Sequence, residues 1–193
     1  MFNNRSACTL GVCSVFILVL LAVGLHGRNS RVYAPQAPVF TVDSPEKALA
    51  LWKEKKLKGR ILLLFDNYPH LRGRYTYYSG SYRPTSTNFI ELALFENIIR
   101  EIYYIVPDYM WEQFRTNEMV HPLRAVPGLE RGLFLYSING LTIIATTPTS
   151  LPQLPEQVLV YVNGSMYKVK DARDLLAQKN ITSDIFVTYQ GPR

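Results

Sequence analysis

Two short stretches without polar alternation constrain the fold of this chain most strongly. Residues 60–65 read RILLLF and residues 158–162 read VLVYV. A strand with one face in water has a polar residue at every second position, whereas a strand covered on both faces is apolar throughout and is typical of a parallel sheet. The segment EIYYIVP, residues 101–107, has the same character. The sequence therefore predicts buried strands of a parallel sheet.

Helical patterns separate these strands. Ser44 is a suitable N-cap, Pro45 suits the first helical position, and Gly59 is a suitable stop for the helix between them. After the first strand, the sequence predicts a helix over residues 89–100 that follows Asn88, and then the strand over residues 101–107. The elements predicted next are a hairpin with its turn at Asn139-Gly140, the strand over 158–162, a helix over 171–179 and a strand over 184–189. This alternation predicts a three-layer α/β domain with a mostly parallel sheet and one β-hairpin.

The N-terminal segment precedes this domain and has a different composition. No Asp, Glu, Lys or Arg occurs between Arg5 and Arg28. The 193-residue chain is therefore predicted to begin with a hydrophobic helix over residues 1–25, either an uncleaved membrane anchor or a cleaved signal peptide. Residues 26–43 are predicted to form an extended linker and residues 44–193 the domain. We expect a single-pass membrane protein with this domain outside the cytoplasm, or a secreted protein if the segment is cleaved.

Polar residues follow the predicted strands where a parallel α/β sheet collects its ligands. Asp66 is followed by Tyr68 and His70, Asp108 follows the second strand, and Asn163 ends the third. A divalent metal needs several anionic or imidazole ligands, and Asp66 with His70 supplies two at most. Asp66 could cap its loop, bind a metal or bind another ligand. No catalytic triad and no phosphate-binding loop is visible, and no metal or other cofactor is expected.

The loop over residues 67–88 has an unusual composition. It combines five tyrosines with arginines such as Arg72 and Arg74, and it contains no acidic residue. Aromatic faces with guanidinium groups can stack on planar groups and bind anions. The loop could be a binding loop or lid, a structural loop, or locally disordered. An exported location disfavours nucleic acid as its partner. The formal net charge of +6 is moderate and compatible with several partners.

Three segments carry a resemblance to a known family. They read LFDNYPH at residues 64–70, YYIVPDYMW at 103–111 and YVNGSMY at 161–167, with Asn88-Phe89 opening the intervening helix. In order and spacing they resemble the arginase/deacetylase superfamily, particularly an uncharacterised arginase-like branch. The resemblance implies an arginase-like fold and two clustered metals that activate a bridging water. The family's metal-ligand positions correspond here to Leu64, Asp66, Tyr68, His70, Tyr161, Asn163 and Ser165, of which only Asp66 keeps the family's residue.

These observations lead to three functional hypotheses. The first is a membrane-tethered, non-catalytic arginase-like domain that has lost its metal centre and binds a partner or small ligand. The second is a hydrolase that uses Asp66 and His70 with one metal or none. The third is a structural component of an envelope complex. The candidate ligand-binding residues are Asp66, Tyr68, His70, Arg72, Arg74 and Asn163.

Overall fold

The computed structural model describes residues 37–66, 83–116, 124–138, 141–154 and 157–191. Within them the elements are β1 (Val39–Val42), α1 (Glu46–Glu54), β2 (Arg60–Phe65), α2 (Phe89–Phe95), β3 (Ile99–Ile105), a 3-10 turn (Asp108–Met110), α3 (Trp111–Thr116), β4 (Arg124–Ala125), β5 (Gly132–Ile138), β6 (Leu141–Thr146), β7 (Val158–Asn163), α4 (Val169–Gln178) and β8 (Ser183–Tyr189).

All eight of these described strands form one sheet. Their spatial order is β1-β8-β7-β2-β3-β6-β5-β4. The pairs from β1 to β6 along this order are parallel, while β5 runs antiparallel to both β4 and β6. The predicted α/β class, the mostly parallel sheet and the hairpin strands are therefore confirmed. The predicted hairpin turn, Asn139-Gly140, lies outside the described residues.

The central strand β2 is apolar because helices cover both of its faces. Leu62 and Leu64 belong to a core cluster that contains Trp52 of α1 and Phe89 of α2. Alternate residues such as Leu63 belong to a second cluster, which contains Leu175 and Leu176 of α4. Leu62, Leu63 and Leu64 are all 0% exposed. Each fully buried leucine stabilises the fold by about 2–3 kcal/mol.

The structure departs from the sequence predictions at several boundaries. The predicted linker, residues 26–43, includes β1, which pairs with β8 at the edge of the sheet. The helix after Asn88 ends at Phe95, and the following strand already begins at Ile99. The helix ends early because Asn97 adopts a left-handed backbone conformation, through which an α-helix cannot continue. The short elements α3 and β4 were not predicted.

The predicted hydrophobic helix, residues 1–25, lies outside the described residues. Within the described ranges, no helix has both the length and the apolar character needed to cross a bilayer.

Three helices end in the same way. The residues two positions after α1, α2 and α4 have φ angles of 54°, 55° and 53°, and they are Lys56, Asn97 and Asn180. In each case the next amide donates back to a carbonyl in the last helical turn: Leu57 to Trp52, Ile98 to Ala93, and Ile181 to Leu176. This pattern is the Schellman motif, whose left-handed position usually holds glycine or asparagine. Lysine at this position of α1 is therefore conformationally costly.

We expect Lys56→Gly to raise the free energy of unfolding by about 1 kcal/mol, because glycine adopts the left-handed conformation without a steric penalty. Chemical denaturation measures the change. The matched control is Lys53→Gly, three residues earlier and inside α1, which should instead lower stability by about 1 kcal/mol. Equal destabilisation by both substitutions would show that the left-handed conformation is not the determining factor.

Candidate functional site

Strands β2 and β7 lie side by side in the sheet, yet their connections diverge. From β2 the chain passes through α2 to β3 on one side, and from β7 it passes through α4 to β8 on the other. The two helices belong to different core clusters, so they cover opposite faces of the sheet. Such a reversal is a topological switch point, and in open α/β sheets ligands bind outside the carboxyl ends of the strands at such a point.

Asp66 and Asn163 meet at this switch point. Asp66 directly follows β2, and Asn163 is the last residue of β7. The Asn163 side-chain amide donates to Asp66 Oδ1 over 3.0 Å, although the two residues are 97 positions apart in the sequence. Asp66 is only 2% exposed. A buried carboxylate needs hydrogen-bond donors, and Asn163 supplies one without adding a second charge.

The turn after β7 holds Asn163 in place. Its side-chain oxygen accepts from the backbone amide of Ser165 at 3.1 Å and from the Ser165 hydroxyl at 2.7 Å. The Gly164 amide donates to the Tyr189 carbonyl at the end of β8 over 2.7 Å. A Cβ at position 164 would lie 3.0 Å from that carbonyl oxygen, so glycine permits the close approach. The amide that contacts Asp66 is therefore fixed in orientation.

Tyr167 crosses the carboxyl edge from β7 towards β3. Its hydroxyl donates to the Ile105 carbonyl at 2.8 Å. Its ring packs edge-on against Phe65, with 5.6 Å between the ring centroids. Phe65 points to the α4 face of the sheet, so Tyr167 covers that side of the switch point.

The charge of Asp66 acts on two tyrosines, the buried Tyr161 and the partly buried Tyr167. Burial is the main cause that raises the pKa of Tyr161, and the nearby carboxylates of Asp66 and Glu46 raise it further. Burial likewise raises the pKa of Tyr167, with smaller contributions from neighbouring tyrosines and Asp66. Both phenols therefore stay protonated at neutral pH and act as hydroxyl groups rather than as bases.

Asp108, at the remaining predicted strand end, has a structural role. Asp108 Oδ1 accepts from the Arg131 guanidinium at 2.9 Å and from the Thr149 hydroxyl at 2.5 Å. Arg131 immediately precedes β5, and Thr149 follows β6. Asp108 thus links three loops at the carboxyl edge of the sheet. These loops adjoin β3, β5 and β6, so they lie on the other side of β3 from the switch point.

Of the residues that the sequence singled out, the structure brings Asp66 and Asn163 into contact, with Ser165 beside Asn163. Tyr68, His70, Arg72 and Arg74 lie outside the described residues. Sequence reasoning did not identify the contacts made by Tyr167 or Arg131. Tyr167 follows β7 by four positions, but nothing in its local sequence signals a bond to a carbonyl 62 residues away.

No metal-binding group emerges from the described part of the chain: nowhere in it do three or more His, Cys, Asp or Glu side chains lie close enough to hold an ion. Comparison with known protein families, with curated proteins and with solved structures finds no match.

We expect Tyr167→Phe to lower the free energy of unfolding by about 1 kcal/mol, because the Ile105 carbonyl loses its side-chain donor while the ring contact with Phe65 remains. Urea denaturation measures the effect. Tyr109→Phe is the matched control: Tyr109 is 84% exposed, so loss of its hydroxyl should change stability by less than about 0.5 kcal/mol. Equal effects of the two substitutions would contradict a bridging role for Tyr167.

Proposed function

We propose that this chain is a membrane-tethered, non-catalytic arginase-like protein that binds a small polar ligand at the carboxyl edge of its sheet. The observation that carries the proposal is the contact between Asp66 and Asn163 at the switch point, where open α/β sheets bind their ligands. The resemblance of residues 64–70, 103–111 and 161–167 to the arginase/deacetylase superfamily supports the arginase-like assignment.

The surroundings of Asp66 favour a site without a metal pair. Leu64 and Tyr161, which occupy two of the family's metal-ligand positions, are 0% exposed and belong to the core cluster between the sheet and helices α1 and α2. The Tyr161 ring packs against Phe89 with 5.3 Å between centroids. Asn163 stands at a third such position, and its amide donates to Asp66. Two divalent cations need several converging anionic ligands, which these residues do not supply.

The side chains at and after the end of β2 indicate the chemical class of the ligand. A carboxylate accepts hydrogen bonds, so Asp66 favours a ligand that presents an amine, amide or hydroxyl donor. Arg72 and Arg74, in the loop that follows Asp66, favour an anionic or planar group. A zwitterionic or polar molecule with a donor at one end and an anionic or planar group at the other satisfies both.

Thermal-shift measurements on the purified full-length protein test this proposal. The panel should contain cationic amines, neutral amides and polyols, zwitterions and simple anions. Donor-bearing compounds are expected to raise the melting temperature, and Asp66→Asn should abolish the shift because it removes the charge with little change in shape. The matched control is Asp108→Asn at the same edge, which should lower basal stability but keep the ligand shift.

Shifts caused only by simple anions and unaffected by Asp66→Asn would contradict the assignment of Asp66. Turnover of a panel compound that Asp66→Ala and His70→Ala both abolish would support the hydrolase hypothesis instead. A panel without hits, combined with stable co-purification of other envelope proteins, would favour the structural component.

Metal analysis provides an independent test. After incubation with Mn²⁺ or Zn²⁺ and dialysis, the full-length protein is expected to retain well below one equivalent, because Asp66 alone keeps an acidic residue among the family's ligand positions. Asn163→Asp is the informative comparison, since a second carboxylate beside Asp66 should increase metal retention. Two retained equivalents in the unaltered protein would overturn the loss of the metal centre.

A further inference from the structure

The turn after β7 begins with the dipeptide Asn163-Gly164. An asparagine followed by glycine is especially prone to spontaneous deamidation, because the glycine main chain can reach the asparagine side chain without hindrance from a Cβ. We propose that Asn163 is a deamidation site whose reaction rate is set by opening of this turn. The inference goes beyond the proposed function and does not depend on it, since the reaction requires no ligand and only water as a second reactant.

The first step of this reaction needs only atoms of the turn. The main-chain nitrogen of Gly164 attacks the side-chain carbonyl carbon of Asn163, so that a new C–N bond forms and the bond to Nδ2 breaks. Nδ2 leaves as ammonia and takes the proton that the Gly164 nitrogen carried, and a cyclic succinimide remains. Water then adds to either carbonyl carbon of the succinimide and opens the ring. The product is aspartate, or isoaspartate where the main chain continues through the side-chain carbon.

The asparagines that end helices α2 and α4 have less reactive neighbours. Asn97 and Asn180 are followed by Ile98 and Ile181. A side chain branched at Cβ restricts the main chain and hinders the attack of its nitrogen. Both isoleucines are also buried, which holds the main chain in place. Within the described ranges, Asn163 is the asparagine that precedes a glycine.

The folded turn engages both reacting groups in hydrogen bonds. The Gly164 amide donates to the Tyr189 carbonyl at 2.7 Å, so the proton that must leave is held. The Asn163 side chain is fixed at both ends, because Nδ2 donates to Asp66 and the oxygen accepts from the amide and hydroxyl of Ser165. These bonds oppose the rotation that would bring the side-chain carbon to the Gly164 nitrogen. Asn163 therefore reacts from conformations in which the turn has opened.

Opening of the turn can be a local event. Gly164, Ser165 and Met166 are all exposed. The Asn163 carbonyl accepts from the amides of Met166 and Tyr167, each at 3.1 Å, and these contacts lie within the turn itself. Exposed turns open at a lower free energy than buried strands. The folded protein is therefore expected to deamidate at residue 163, at a rate reduced by the small population of the open turn.

Deamidation removes the donor that Asn163 supplies to Asp66. Aspartate at position 163 would place a carboxylate oxygen where the amide nitrogen lies 3.0 Å from Asp66 Oδ1, and two carboxylates at this distance repel each other. Isoaspartate would also add a methylene group to the main chain, which disturbs the pairing of residue 163 with Tyr189 of β8. Either product changes the surroundings of Asp66, and the loss of ammonia makes the change one-way.

Peptide mapping by mass spectrometry on the full-length protein tests the proposal. The protein is incubated at mildly alkaline pH, in native buffer and in urea that unfolds the domain, and aspartate and isoaspartate at residue 163 are followed with time. In urea, Asn163 is expected to react as fast as Asn139, which also precedes a glycine. In native buffer, Asn163 is expected to react at least about tenfold more slowly than in urea, because the hydrogen bonds of the turn must break first.

Ser165→Ala provides the matched variant. It removes the hydroxyl that donates to the Asn163 side chain, so the native rate of deamidation should rise about fivefold while the rate in urea stays unchanged. Ser150→Ala is the control, since the Ser150 amide donates to Thr147 in the separate turn after β6, and it should change neither rate. Equal rates in native buffer and urea, or a native rate of Ser165→Ala no higher than that of Ser150→Ala, would overturn the proposal.

Discussion

The pairing of β2 between β3 and β7 is the constraint on which the rest of this structure depends. In the register of β2 with β7, Leu64 lies opposite Tyr161 and Phe65 opposite Val162. The next residues along the two strands are Asp66 and Asn163, so the hydrogen bond between their side chains follows from the register. A shift by one residue would move every side chain of β2 into the core on the opposite face, where each would have to pack against different helices.

The same pairing divides the domain into two chemically different edges. Helices that connect parallel strands run antiparallel to them, so α2 and α4 begin at the carboxyl edge and end at the amino edge. The carboxyl edge contains Asp66 and the turn around Asn163, at the place where open α/β sheets bind their ligands. The amino edge contains helix C-termini, where cations such as those of residues 53–58 are favoured.

The sequence predicted the buried strands well because unalternated apolar runs have few other stable environments. It did not predict β1, since VFTV is only four residues long and lies at an edge, where packing demands little of the sequence. The helix predicted after Asn88 was too long, because the periodicity of apolar residues does not reveal the left-handed conformation of Asn97. That Asp66 and Asn163 share an edge could be inferred from their strand ends. Their direct contact required the strand order, which connects residues 97 positions apart.

The amide at position 163 places a neutral donor beside the buried carboxylate of Asp66. A buried carboxylate such as Asp66 needs its charge compensated by donors or by a positive ion. If residue 163 were an aspartate in the same position, two carboxylates would lie at hydrogen-bond distance and would require a shared proton or a metal. Asparagine has nearly the same shape but donates to Asp66 instead of repelling it. The side-chain oxygen of Asn163 accepts from Ser165, so the turn fixes the orientation of the amide that donates to Asp66.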